Sequence, residues 1–157
     1  MAINITPAQM VEQWATATER LKSRLHTFAY RAAVINQSVF RGSFFLQRFY
    51  TASSEPWKPR KKEQFLSHPK LRRSMAMYES IKVGKPEVSK NVYRSTVYTE
   101  PVTETTKHGS RTLSYAGYHN EGNPKTNLPQ RQFMGYSTVA GSAMNRAAAD
   151  IFLNFIV

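Results

Sequence analysis

The 157-residue sequence contains no cysteine, which excludes a disulfide scaffold, a thiol nucleophile and the cysteine-based zinc ribbons together. Stability has to come from packing. Aspartate is almost missing: Asp150 is the one aspartate beside nine glutamates. A Ser-His-Asp triad would have to recruit Asp150 or a glutamate, and no Gly-x-Ser-x-Gly elbow is present to hold its nucleophile, so a hydrolase is not expected. With seven glycines in the chain there is neither a phosphate-cradling loop nor a dinucleotide fingerprint. The four histidines, His26, His68, His108 and His119, form no His-x-His or His-x-x-x-His pair and have no acidic cluster around them. No metal and no cofactor is therefore expected, and the chain reads as a non-enzyme. His119 with Asn120 and Glu121 could be read as part of a nuclease site, but a polar turn closing a short helix needs the same residue types. No run of 18 apolar residues occurs, and the first nine residues lack the basic flank and apolar stretch of a signal peptide. The expectation is a protein made in the cytoplasm, soluble, without membrane contact.

What the sequence does have is positive charge. Twenty-two Lys and Arg against ten Asp and Glu give a formal net charge of +12, which favours polyanionic or acidic partners as well as plain solubility. Apolar residues make up 41% of the chain, a globular composition, and the length suits one domain spanning residues 1–157.

Thr6 before Pro7 is a helix start: the hydroxyl accepts from an early backbone N–H, and proline is tolerated where no N–H partner is needed. Apolar or small residues then recur at Val11, Trp14, Leu21, Leu25, Phe28, Ala32, Ile35, Val39, Leu46 and Phe49, a 3,4 alternation that predicts helix through the first fifty residues. An unbroken helix of that length, about 66 Å, exceeds the ~30 Å of a small domain. It must bend or project, and the weakest propensity lies at residues 16–18 and 41–43. A coiled coil is the alternative, but the aromatic-rich stripe suits a helix lying across a sheet.

Residues 51–59, with Pro56 and Pro59, read as a loop. Together with the residues up to 80 they form a basic loop and short helix, in which Leu66, Leu71, Met75 and Tyr78 supply an inward face. Lys58, Arg60, Lys61, Lys62, Lys70, Arg72 and Arg73 fall within sixteen residues opposed by Glu63 alone. Interleaved with Trp57 and Phe65, they are candidate contacts for DNA or for an acidic protein surface. No helix-turn-helix, ribonucleoprotein motif or zinc-finger spacing accompanies them, so sequence-specific readout is unsupported.

From residue 81 to 137 the composition turns β-branched and aromatic, predicting an antiparallel sheet: two strands within 81–103 joined through 84–90, and a hairpin turning at 107–110. An irregular loop follows over 116–132, and Phe133, Met134 and Tyr136 are read as a short last strand. Helical spacing returns over 138–157. Six of the last seven residues are apolar, and Ile151, Phe152, Phe155 and Ile156 must dock either on the same chain or on a neighbouring copy. The fold class is thus α+β: a small antiparallel sheet packed by a long or broken N-terminal helix and a C-terminal helix.

Three stretches in order resemble one family. Trp57-Lys-Pro59 with its lysines is similar to a tryptophan-proline loop after N-terminal helices. Leu71-Arg-Arg-Ser-Met-Ala-Met-Tyr-Glu-Ser-Ile81 is similar to a segment leading into the first strand, with Met75 where a glycine is usual. Tyr115-Ala-Gly-Tyr-His-Asn-Glu-Gly122 followed by Leu128-Pro-Gln-Arg-Gln-Phe-Met-Gly135 resembles the paired Tyr-Ala-x-x-His-x-x-Gly and Pro-x-Arg-x-Phe-x-Gly motifs of the virion morphogenesis proteins of tailed, Mu-like phages. These are the tail-completion or head-tail joining proteins of the neck.

The resemblance covers residues 57–137. It implies a structural virion protein that assembles as a ring of about six or twelve copies. Its neighbours would be head-completion or connector proteins and tail terminator or tube proteins, with packaged DNA passing through. Trp57, Tyr115, His119, Gly122, Pro129, Arg131 and Phe133 are then structural positions. Gly122 allows exit from a helical turn at positive φ, Phe133 enters the core, Tyr115 is half-buried, and Arg131 fixes a loop or a subunit edge. The alternative is a stand-alone protein that binds nucleic acid without sequence preference.

Overall fold

Thr6 caps the first helix as its sequence requires: its hydroxyl accepts from Gln9 N at 3.3 Å and the Gln9 side chain accepts from Thr6 N at 2.9 Å. The computed structural model describes residues 6–52, 54–58, 75–106, 109–113, 116–126 and 128–153. Helix α1 (Pro7–Leu46) is unbroken over 40 residues, so it projects. The two weak points hold for local reasons. Thr18 Oγ1 donates back to Trp14 O at 2.8 Å, keeping its hydroxyl inside the helix. Gly42 serves packing, since a Cβ there would lie 2.8 Å from Cδ1 of Tyr50.

α1 ends at Gln47, left-handed at φ 53. Ser43 Oγ accepts from Tyr50 N at 3.0 Å as the chain turns back, and Trp57 N donates to Gln47 O at 2.7 Å. Helix α2 (Ala76–Ser80) follows Met75 and leads directly into β1 (Ile81–Val83). Of the four residues expected to face inward here, Leu66 and Leu71 lie outside the described residues, and Met75 and Tyr78 are half-buried. The buried residues of α2 are Met77 and Ser80.

Where the sequence predicts two strands in residues 81–103, the chain makes more and shorter ones. β1 pairs antiparallel with β4 (Val97–Thr99) in the register Ile81 to Thr99. Between them β2 (Glu87–Ser89) and β3 (Val92–Arg94) form a hairpin. Its two turn residues, Lys90 and Asn91, have φ 48 and 62, the primed geometry that matches strand twist. The expected connection at 84–90 thus contains a strand, three residues long and too short to carry a periodic signal. β5 (Val102–Thr106) and β6 (Gly109–Leu113) form the anticipated hairpin, whose residues 107 and 108 lie outside the described ones. Among the described residues the β structure is three two-stranded antiparallel ladders.

Helix α3 (Ala116–Glu121) and a 3-10 turn at Pro124–Thr126 precede α4 (Thr138–Phe152). Ser137 caps α4, accepting from Ala140 N at 3.2 Å while donating to Tyr50 O at 2.6 Å. One hydroxyl therefore starts a helix and ties it to the turn after α1. α4 runs antiparallel along α1, with Met144 beside Asn36 and Phe152 beside Phe28. The core lies at the C-terminal end of α1, where Phe40, Phe44, Phe49, Trp57, Met77, Ile81, Phe133 and Ala140 meet. Phe44 is fully buried, its ring 5.8 Å from Trp57 and 5.1 Å from Phe133.

Candidate functional site

The two paired motifs meet on one side of this core. Asn120, on the last turn of α3, uses one side-chain oxygen twice: Oδ1 accepts from Phe133 N at 3.0 Å and from Met134 N at 2.9 Å. The carbonyl of His119 accepts from Arg131 N at 2.7 Å, and that of Asn120 from Gln130 Nε2 at 3.2 Å. α3 is thereby stitched to residues 130–134 without a strand. The short last strand predicted at Phe133, Met134 and Tyr136 is absent for the same reason. The Asn120 side chain takes the N–H groups of residues 133 and 134, and Gly135 leaves extended geometry at φ 150.

Gly122 has φ 81, and a Cβ on it would stand 3.0 Å from Gln130 N. The position thus needs glycine for its backbone angle and for its clearance together. Phe133 has no exposed surface. Trp57 is also buried, and its indole N–H donates to Gln132 O at 2.8 Å, so the tryptophan loop and the proline-arginine stretch hold one another. Arg131 is 5% exposed and its Nη2 reaches Lys58 O at 3.5 Å. Arg131 thus sits inside the fold, tied to the start of the basic segment. Pro129 is half-buried and Lys58 is exposed.

A second polar tie fastens β1 to α1. Gln37 Nε2 and Arg41 Nη2 both donate to Ile81 O, at 2.7 and 2.9 Å, and the Arg41 guanidinium lies over the Tyr78 ring at 5.0 Å. On the projecting part of α1, Glu19 accepts from Lys22 at 2.7 Å and raises the pKa of that ammonium group.

The sequence-predicted positions divide clearly. Trp57, His119, Gly122, Pro129, Arg131 and Phe133 come together in this brace. Ile151 and Phe152 are half-buried on α1: Ile151 O accepts from Arg24 Nη1 at 2.6 Å, and Phe152 meets Phe28 edge to face at 5.7 Å. Arg60, Lys61, Lys62, Lys70, Arg72, Arg73, Tyr115, Phe155 and Ile156 lie outside the described residues. Sequence reasoning places Asn120 only in a polar turn closing a short helix and does not foresee its bonds to the backbone of residues 133 and 134. Its signal was its place between His119 and Glu121 in a turn, where asparagine characteristically bonds to backbone.

Among the described residues no group of three His, Asp or Glu side chains is placed to hold a metal ion, and no helix is long and apolar enough to cross a membrane. Neither a protein-family model nor a curated protein nor a solved structure matches this chain.

Proposed function

We propose that this chain is a non-catalytic structural protein of a tailed-phage neck, a ring component in the virion that joins tail to filled head and lets DNA pass. The observation that carries the reading is Met75. It stands where the resembling family has glycine, and its φ is 56, a left-handed state that a glycine adopts without strain. A backbone demand for glycine at that position is what the resemblance predicts and what composition or hydrophobic periodicity would not.

The brace adds to this. Asn120, Arg131 N and the Trp57 indole hold backbone, and Phe133 fills the core, the use expected of a scaffold built for assembly. The basic segment, Lys58 to Arg73, faces either the DNA channel or an acidic surface of a neighbouring ring.

Purified particles test the reading. A neck protein is found in them at fixed copy number and is located by electron imaging between capsid and tail. A chain that is missing from particles, and instead binds duplex DNA alone with affinity falling steeply as salt rises, is a free nucleic-acid-binding protein. Charge reversal at Lys61, Lys62, Arg72 and Arg73 separately tests the basic segment: assembly and infectivity should both fall, and intact infectivity removes that segment from the mechanism.

A further inference from the structure

Between Glu19 and Glu55 the chain has no acidic residue, yet it carries six cations, Arg20, Lys22, Arg24, Arg31, Arg41 and Arg48. All but Arg48 lie on α1. At about 100° per residue, Arg20, Ser23, Thr27, Tyr30, Arg31 and Ser38 fall within an arc of roughly 100°, turned away from the buried Ala33, Val39 and Phe40. Each of these six residues is exposed.

The arginines of α1 divide by use. Arg24 Nη1 donates to Ile151 O and Arg41 Nη2 to Ile81 O, so these two hold the fold. Among the described residues the ion pairs are Lys22 with Glu19 and Lys82 with Glu100, and neither Arg20 nor Arg31 has a carboxylate beside it. Thr27 Oγ1 donates back to Ser23 O at 3.0 Å. The side chains of Ser23, Tyr30 and Ser38 have no hydrogen-bond partner among the described residues.

Arginine without a counter-ion, hydroxyl and phenol are the side chains that contact a phosphate backbone, by charge and by hydrogen bond. Residues 20–38 span about 27 Å of an unbroken helix, the axial length of about eight base pairs. A line of one sign over that distance complements evenly spaced charges better than it does a single carboxylate cluster. With one aromatic ring, Tyr30, the face is not a platform for stacking unpaired bases. We infer that this face of α1 binds the phosphate backbone of double-stranded DNA, through the guanidinium groups of Arg20 and Arg31 and the hydroxyl groups of Ser23, Tyr30 and Ser38.

This contact is separate from the basic segment that begins at Lys58, and it carries no sequence information, because backbone contacts position a protein without reading bases. Binding to a duplex stands on the face alone; only the choice of DNA over RNA rests on the proposed function.

Fluorescence anisotropy of a labelled ~30-base-pair DNA duplex of arbitrary sequence, titrated with the full chain at about 50 to 200 mM salt, tests the inference. The wild-type chain should bind, with the logarithm of its affinity falling linearly against that of the salt concentration. Arg20→Gln with Arg31→Gln should lower that slope by about 1.8 and weaken binding at the lowest salt at least about tenfold. Arg20→Lys with Arg31→Lys keeps both charges and should keep the slope. Both pairs replace exposed side chains, so the circular dichroism spectrum should not change. A glutamine pair that binds as the wild type does, or a wild-type chain that leaves the duplex free at the lowest salt, overturns the inference. Polyglutamate that displaces the duplex as well as unlabelled DNA does at equal charge assigns the face to an acidic protein, and overturns it too. An RNA duplex bound more tightly than the DNA overturns the choice of DNA and keeps the duplex. Whether the chain belongs to a virion is decided by particles, whichever of these results is found.

Discussion

Asn120 and Phe133 are joined by a side-chain oxygen accepting a backbone N–H at 3.0 Å, and the same oxygen accepts from Met134 at 2.9 Å. This fork takes the place of a β-ladder. It holds the most deeply buried aromatic of the second motif at the depth of Phe44, whose ring lies 5.1 Å away, by tethering the backbone that carries it.

Removing the fork therefore costs more than an ordinary polar substitution. Asn120→Ala leaves two partly buried N–H groups without their acceptor and should destabilise the fold by about 2 kcal/mol. Asn120→Asp keeps the oxygen and should retain most of that stability. Urea denaturation checks both: the midpoint falls for alanine with an unchanged slope, and equal midpoints for the two variants would show that the fork contributes nothing.

Two glycines should respond in opposite directions to the same change. Gly122→Ala forces a Cβ onto a left-handed backbone, 3.0 Å from Gln130 N, and should cost about 1–2 kcal/mol. Gly141→Ala lies inside α4 with open space at its Cβ, and should gain up to about 1 kcal/mol from helix propensity. Thermal unfolding of the pair reads both signs in one experiment.

Met75 offers a reversal of the usual order of small residues. Met75→Gly and Met75→Ala lose the same half-buried side chain, but glycine alone relieves φ 56. The glycine variant should be the more stable of the two by about 1 kcal/mol, where an ordinary helical site would favour alanine by a similar amount. Alanine proving the more stable would mean that the left-handed state is not what this position demands.

Fluorescence can follow the first half of α1 in the wild-type chain. Trp57 is 5% exposed and Trp14 is 67% exposed, so acrylamide should quench one indole freely and the other hardly at all in dilute protein. In Trp14→Phe the freely quenched fraction should be lost, leaving the emission of buried Trp57 alone.

Much of this architecture is legible locally. Thr6-Pro7 and the 3,4 apolar spacing announce α1, and the β-branched run announces strands. The end of α4 is marked by apolar residues that need a surface, which α1 supplies in part through Phe28 and Arg24. Gly122 and Phe133 also behave as their motif suggests, because a positive φ and a buried ring are requirements of single positions. The strand predicted at Phe133 failed because its hydrogen-bond partner, Asn120, lies thirteen residues earlier and bonds through a side chain. The weak stretches at residues 16–18 and 41–43 do not break the helix, because the compensating contacts of Thr18 with Trp14 O and of Gly42 with the Tyr50 ring are invisible to propensity.

The sequence by itself determined the elements and their apolar faces, since each follows from a period of 2 or 3.6 residues and from the φ angles its own side chains permit. Tertiary structure alone decided that α1 stays unbroken and carries half of its apolar face clear of the described core. That outcome depends on where α4 and the β3 hairpin run out along α1, a matter of three-dimensional reach that no local pattern encodes.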